Sequence, residues 1–144
     1  TLSFLLCSNP DNQTWVKVGQ IMVAVDSLVH NFLLRTGILM FYQAEHGYGS
    51  ACFNHCAEVL ERLISRTDAR KFNAEYPKYF PRFVQYSIWR FCSVAAENIC
   101  NGVKIDDLRK CRRKDICPVY SLCDRKALKA KKGGRDETHV SRAA

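Results

Sequence analysis

No apolar run in this 144-residue chain approaches the roughly 18 residues that a membrane-spanning helix needs. Ile38 to Tyr42 is such a run, and it is far too short. A membrane is therefore not an expected partner. The opening TLSFLL is apolar, but no basic stretch precedes it and it stops at Asn9–Pro10. It reads as a strand or helix fragment rather than a targeting signal. The absence of an initial Met raises the expectation of further residues upstream. No stretch alternates polar and apolar residues, so a β-sheet class drops out. No internal repeat is present, which removes solenoids and propellers. Between Cys100 and Cys123 no two cysteines stand two to four residues apart, so the tight knuckle of common zinc loops is missing there.

That stretch is nonetheless the most distinctive in the chain. It holds four of the eight cysteines, Cys100, Cys111, Cys117 and Cys123, with gaps of ten, five and five residues. A polar loop cannot bury its own backbone and needs a staple, and four thiolates can close around one metal centre. Wide spacing favours a [4Fe–4S] cluster, a larger object than one ion, with zinc as the alternative. Disulfides and free thiols stay open as other uses of an even cysteine count. Cys7, Cys52, Cys56 and Cys92 fall in apolar or helix-like segments, where free cysteine behaves as a small hydrophobe.

The formal charge of +8 is equally local. Residues 101 to 135 hold twelve Lys and Arg against four Asp, so the whole excess lies there. Arg109, Lys110, Arg112, Arg113 and Lys114 sit between the cysteines, which would fix them in space. Such a patch suits a polyanion, DNA first, through its phosphates. The competing use is a solvated basic tail.

Helical periodicity runs from Trp15 to Leu39, carried by Val18, Ile21, Met22, Val25, Leu28, Val29, Phe32 and Leu33. Asp26 and Ser27 are capping residues that can start a new helix within it, and Gly37 can close it. Cys52 to Arg66 predicts a helix, with Glu58 and Arg62 placed as an i,i+4 ion pair. Pro81 opens another that runs to about Asn98. Pro118 to Ala130 predicts a short basic helix, and residues 131–144 a disordered tail. The fold expected is all-α: four to five helices in one domain over residues 1–130, with the cysteine loop at 100–123.

Two stretches in order carry a resemblance. VAVDSLVHNFLLRTGIL at 23–39, with Val25, Asp26, Val29, Arg35 and Gly37, is similar to the catalytic-aspartate segment of helix-hairpin-helix base-excision DNA glycosylases of the endonuclease III type. The cysteine loop follows an aromatic-rich helix, where that family carries its [4Fe–4S] loop. The resemblance implies a DNA-repair protein, the cluster-bearing half of a glycosylase. It implies a catalytic role for Asp26, cluster ligation by Cys100, Cys111, Cys117 and Cys123, and DNA contacts from the loop cations. The family's Gly-x-Gly hairpin and lyase lysine have no counterpart here. The expectation is therefore no strand cleavage, a missing N-terminal lobe or partner chain, and a cytoplasmic or nucleoid-associated site of action. A non-enzymatic Fe–S or zinc DNA-binding accessory protein is the other expectation, and a disulfide-stabilised module a third.

Weaker constellations remain. His46, Cys52, His55 and Cys56 could form a second metal site but read better as surface histidine and core cysteine, since the pair His55–Cys56 is too close to splay easily. His30, four residues past Asp26, reads as a partly exposed polar position able to orient that carboxylate. Tyr76, Tyr79 and Phe80 could stack on bases but suit core packing better.

Overall fold

The computed structural model describes residues 2–9 and 11–129. Among them the fold is all-α, with six α-helical segments, three 3-10 turns and no strand. The α-helices are α1 (Leu2–Cys7), α2 (Gln13–Ile21), α3 (Ser27–Arg35), α4 (Ile38–Phe41), α5 (His55–Ser65) and α6 (Pro81–Cys92). No helix of the described residues is long and apolar enough to cross a membrane.

Local chemistry sets most of the boundaries. Asn12 caps α2, its side chain accepting from the Trp15 amide at 3.1 Å. The long periodic segment breaks into two helices, because residues 22–26 are extended and Asp26 caps α3. Gly37 then takes a left-handed φ of +86°, which only glycine adopts without strain, and turns the chain into the single turn α4. The expected Glu58–Arg62 pair forms on the exposed face of α5. The opposite face buries Cys56, Val59, Leu60 and Ile64, the i, i+3, i+4, i+8 stripe of an amphipathic helix.

Three expected boundaries move. The helix expected from Cys52 begins only at His55, after a separate 3-10 turn at Ser50–Phe53. The helix begun at Pro81 ends at Cys92 rather than near Asn98, since Ser93 is extended and Asn98 takes φ +54°. In place of the basic helix expected over 118–130, the described residues form a 3-10 turn at Tyr120–Leu122 and irregular chain in which Arg125 takes φ +61°. The reason lies at the end of α3, whose last carbonyls lack intrahelical donors. The Asp124 amide donates to Thr36 O at 3.1 Å and the Lys126 amide to Arg35 O at 2.9 Å. A helix at 118–130 would consume those amides. The tail expected at 131–144 lies outside the described residues.

Buried residues form two clusters. The larger gathers Val29, Leu33, Leu39, Cys52, Cys56, Val59, Leu60 and Ile64. The smaller is built on Cys92, Cys100, Ile105 and Cys111, with Leu28, Phe32 and Phe91 against it. Helix α3 serves both: Val29 and Leu33 enter the first, Leu28 and Phe32 flank the second.

Candidate metal centre and the cysteine cavity

Four donors from four segments converge inside the larger cluster. His30 comes from α3, His46 from the loop after α4, Cys52 from the 3-10 turn Ser50–Phe53, and Cys56 from the first turn of α5. Their ligand atoms all lie within 4.8 Å of one another. His30 Nδ1 is 3.3 Å from Cys52 Sγ and 3.4 Å from Cys56 Sγ. His46 Nε2 is 3.4 Å from each sulfur. Tetrahedral zinc, with its ordinary Zn–N and Zn–S bonds, would space N and S about 3.5 Å apart. The four contacts match the edges of that tetrahedron, and two imidazoles with two thiols form a His2Cys2 set that suits zinc. Among the described residues this is the one group of His, Cys, Asp and Glu side chains placed to hold a single ion.

The surroundings prepare the donors. His46 Nδ1 lies 2.7 Å from the Ala44 carbonyl, which makes it the N–H and leaves the Nε2 lone pair for the site. Burial, then the nearby His46, lowers the His30 pKa, so that ring favours the neutral form a metal needs. Burial pushes the Cys56 thiol up to about 12, with the neighbouring Cys52 adding to the shift. Metal binding must therefore displace thiol protons, as it does wherever cysteine ligates. His30 Nε2 is buried without a hydrogen-bond partner, so this ring is held by packing and by the site alone.

This centre departs from the sequence expectation. His55 is exposed and outside the set. His30 replaces it, fully buried, and does not serve Asp26. Asp26 turns its carboxylate onto its own helix, accepting from the Val29 amide at 2.9 Å. Two signals in the sequence mark the site in retrospect. Cys52 and Cys56 have three residues between them, a tight knuckle. His30 stands next to Val29 on the buried stripe of α3, where an imidazole needs a partner.

The four loop cysteines come together elsewhere. Cys100, Cys111, Cys117 and Cys123 line one cavity under α3, walled by Phe32 and Phe91. The space between them is a set of narrow crevices rather than one open chamber. The thiols are not drawn to single-ion distance, in contrast to the His2Cys2 group. All seven described cysteines outside α1 are free thiols. Burial, opposed by the Arg125 amide at 3.2 Å from the sulfur, raises the Cys123 pKa. The Cys100 thiol is lowered, first by a hydrogen bond from Cys92 and also by Arg35.

Asp26 reaches a different cavity, of about 640 Å³, lined also by Arg82, Gln85, Tyr86 and Trp89. Tyr86 and Trp89 stack there with centroids 5.8 Å apart and an 11° angle. The loop cations divide. Arg113 is held by Asp115 and by the Lys104 carbonyl, and Arg109 pairs with Asp106 at 3.3 Å. Lys110, Arg112 and Lys114 are exposed and make no ion pair among the described residues. Tyr76 and Phe80 pack on Phe83 rather than standing clear.

No family model matches this chain, and no curated protein and no solved structure is significantly similar to it. Its function rests on the chemistry of its own residues: a buried group of two histidines and two cysteines that could bind a metal ion such as zinc.

Proposed function

We propose that this chain is a DNA-binding metalloprotein with two centres, a zinc ion in the His2Cys2 site and an iron–sulfur cluster in the cysteine cavity. The observation that carries the cluster is the contrast between the two sets of donors. His30, His46, Cys52 and Cys56 stand at single-ion distance, whereas Cys100, Cys111, Cys117 and Cys123 surround one cavity without approaching so closely. Thiolates around a [4Fe–4S] core are spread in that way. Backbone and charge agree with it: the Arg125 amide points at Cys123 Sγ, and arginines flank the sulfurs. When bound, the cluster would supply rigidity to a loop that has only a 3-10 turn of its own. Lys110, Arg112 and Lys114, free of ion pairs among the described residues, would then contact phosphates, which sets register without reading sequence.

The test is anaerobic purification followed by counting of iron, sulfide and zinc. About four iron and one zinc per chain, with broad absorption near 400 nm typical of thiolate-bound clusters, is expected. Zinc alone, two per chain, would replace the cluster by a second zinc. Duplex-DNA affinity that is flat between low and high salt would remove the DNA-binding part.

One observation favours an enzymatic version. Asp26 borders the 640 Å³ cavity beside the Tyr86–Trp89 stack, where an extruded base and its sugar would find aromatic and carboxylate partners. A carboxylate there would stabilise positive charge developing on the sugar as an N-glycosidic bond breaks. Release of damaged bases from duplex DNA, lost in Asp26→Asn with binding retained, tests it.

A further inference from the structure

Arg35 is the largest fully buried side chain among the described residues, 2% exposed. A guanidinium in that position is costly unless its charge and its donors are met. Nη2 lies 2.5 Å from Asp107, a carboxylate that is itself 23% exposed. Nη1 reaches the Lys126 carbonyl, at 3.4 Å. The remainder of the group borders the thiol cavity that Cys100 also lines. Arg125 lines the same cavity with its guanidinium 4.7 Å over the Tyr120 ring, and its buried Nε has no partner among the described residues. Three arginines and no carboxylate line this space. Neutral thiols have no use for such a lining. Thiolates carrying net negative charge do, because attraction between buried opposite charges is strong.

We infer that Arg35 is the counter-ion and positioning residue of an anionic thiolate centre on Cys100, Cys111, Cys117 and Cys123, an inference that rests on the iron–sulfur reading above. Position comes from the backbone as much as from charge. Arg35 O accepts from the Lys126 amide at 2.9 Å while its Nη1 donates to the Lys126 carbonyl, so one residue holds the chain just past Cys123 by both backbone and side chain. Its charge would favour the more negative, reduced form of the cluster, which raises the reduction potential. Asp107 opposes that effect from the far side of the guanidinium.

A simple clamp between α3 and the loop gives a different pattern, and a redox titration of the purified, cluster-loaded full chain separates the two. Arg35→Gln should lower the reduced-to-oxidised ratio at a fixed poise by about tenfold, which is about 59 mV for a one-electron couple. Asp107→Asn should move it the opposite way, and Arg35→Lys should stay near the wild type. If Arg35→Gln fails to fold, the upward shift in Asp107→Asn and the small one in Arg35→Lys still decide. A brown wild type whose Asp107→Asn variant keeps the potential, or shifts it downward, overturns the counter-ion role and leaves the cluster standing. A wild type without iron overturns both.

Discussion

Chelation of the His2Cys2 centre and removal of one ligand should have the same consequence, and should not add. Cys56 is fully buried beside Cys52, 3% exposed, at the middle of the larger core cluster. A metal that binds only the folded chain stabilises it by about 2.7 kcal/mol at a free concentration 100 times Kd and by about 4.1 kcal/mol at 1,000 times. For a chain of this size each kcal/mol moves Tm by about 3–4 °C, so stripping a tightly held ion should lower Tm by about 10–15 °C. Cys56→Ser removes one of four ligands and sets a hydroxyl in an apolar site, a loss of similar or slightly greater size. The assay is thermal unfolding of wild type and Cys56→Ser, each with and without a zinc chelator, alongside metal content by mass spectrometry. Wild type should fall to the level of the variant when chelated, while the variant should ignore the chelator. A wild-type Tm indifferent to chelation, with no metal carried through purification, would show that the four donors are only a packed polar cluster. His30→Ala should reproduce the variant's chelator insensitivity, whereas His55→Ala, at an exposed ring outside the set, should leave metal content and Tm unchanged.

Three further outcomes follow from the loop and from α3. Gly37→Ala puts a Cβ 1.9 Å from Asp124 Oδ2 on a backbone with φ +86°. It should destabilise by about 1–2 kcal/mol for the backbone alone, more if Asp124 cannot swing away, with urea unfolding as the readout. On the proposed DNA-binding reading, Arg112→Ala should reduce the salt slope of binding by about one unit, while Arg113→Ala, already engaged by Asp115, should change it less. Asp26→Asn keeps an oxygen for the Val29 amide, so helix stability should drop by no more than about 1 kcal/mol in urea unfolding, and any base-release activity should fall by orders of magnitude.

Helix content was legible in the sequence wherever a short-range rule governs. The stripe of α5 holds at Cys56, Val59 and Leu60 but not at Phe53, which lies before the helix and is exposed. The Asp26 cap, the Pro81 start and the Gly37 stop depend on residues within one or two turns, and all three stand where the sequence puts them. So does the grouping of Cys100, Cys111, Cys117 and Cys123, because the short intervals between them limit how far apart they can lie. Residues 118–130 misled for the opposite reason. Their helical propensity is a local preference, and the unmet carbonyls at the end of α3, about ninety residues away in sequence, outweigh it.

By itself the sequence determined an all-α chain, the position of its caps and breaks, and a basic, cysteine-rich C-terminal loop. Only the tertiary structure decided that His30 joins His46, Cys52 and Cys56. Their separations of 16, 22 and 26 residues obey no local rule. They meet because α3 and α5 bury their apolar faces together, carrying His30 and Cys56 into one core. The same burial closes Arg35 over the thiol cavity. A sequence states which side chains can ligate or carry charge; the packing of helix faces fixes which of them share a space dry enough for that chemistry to matter.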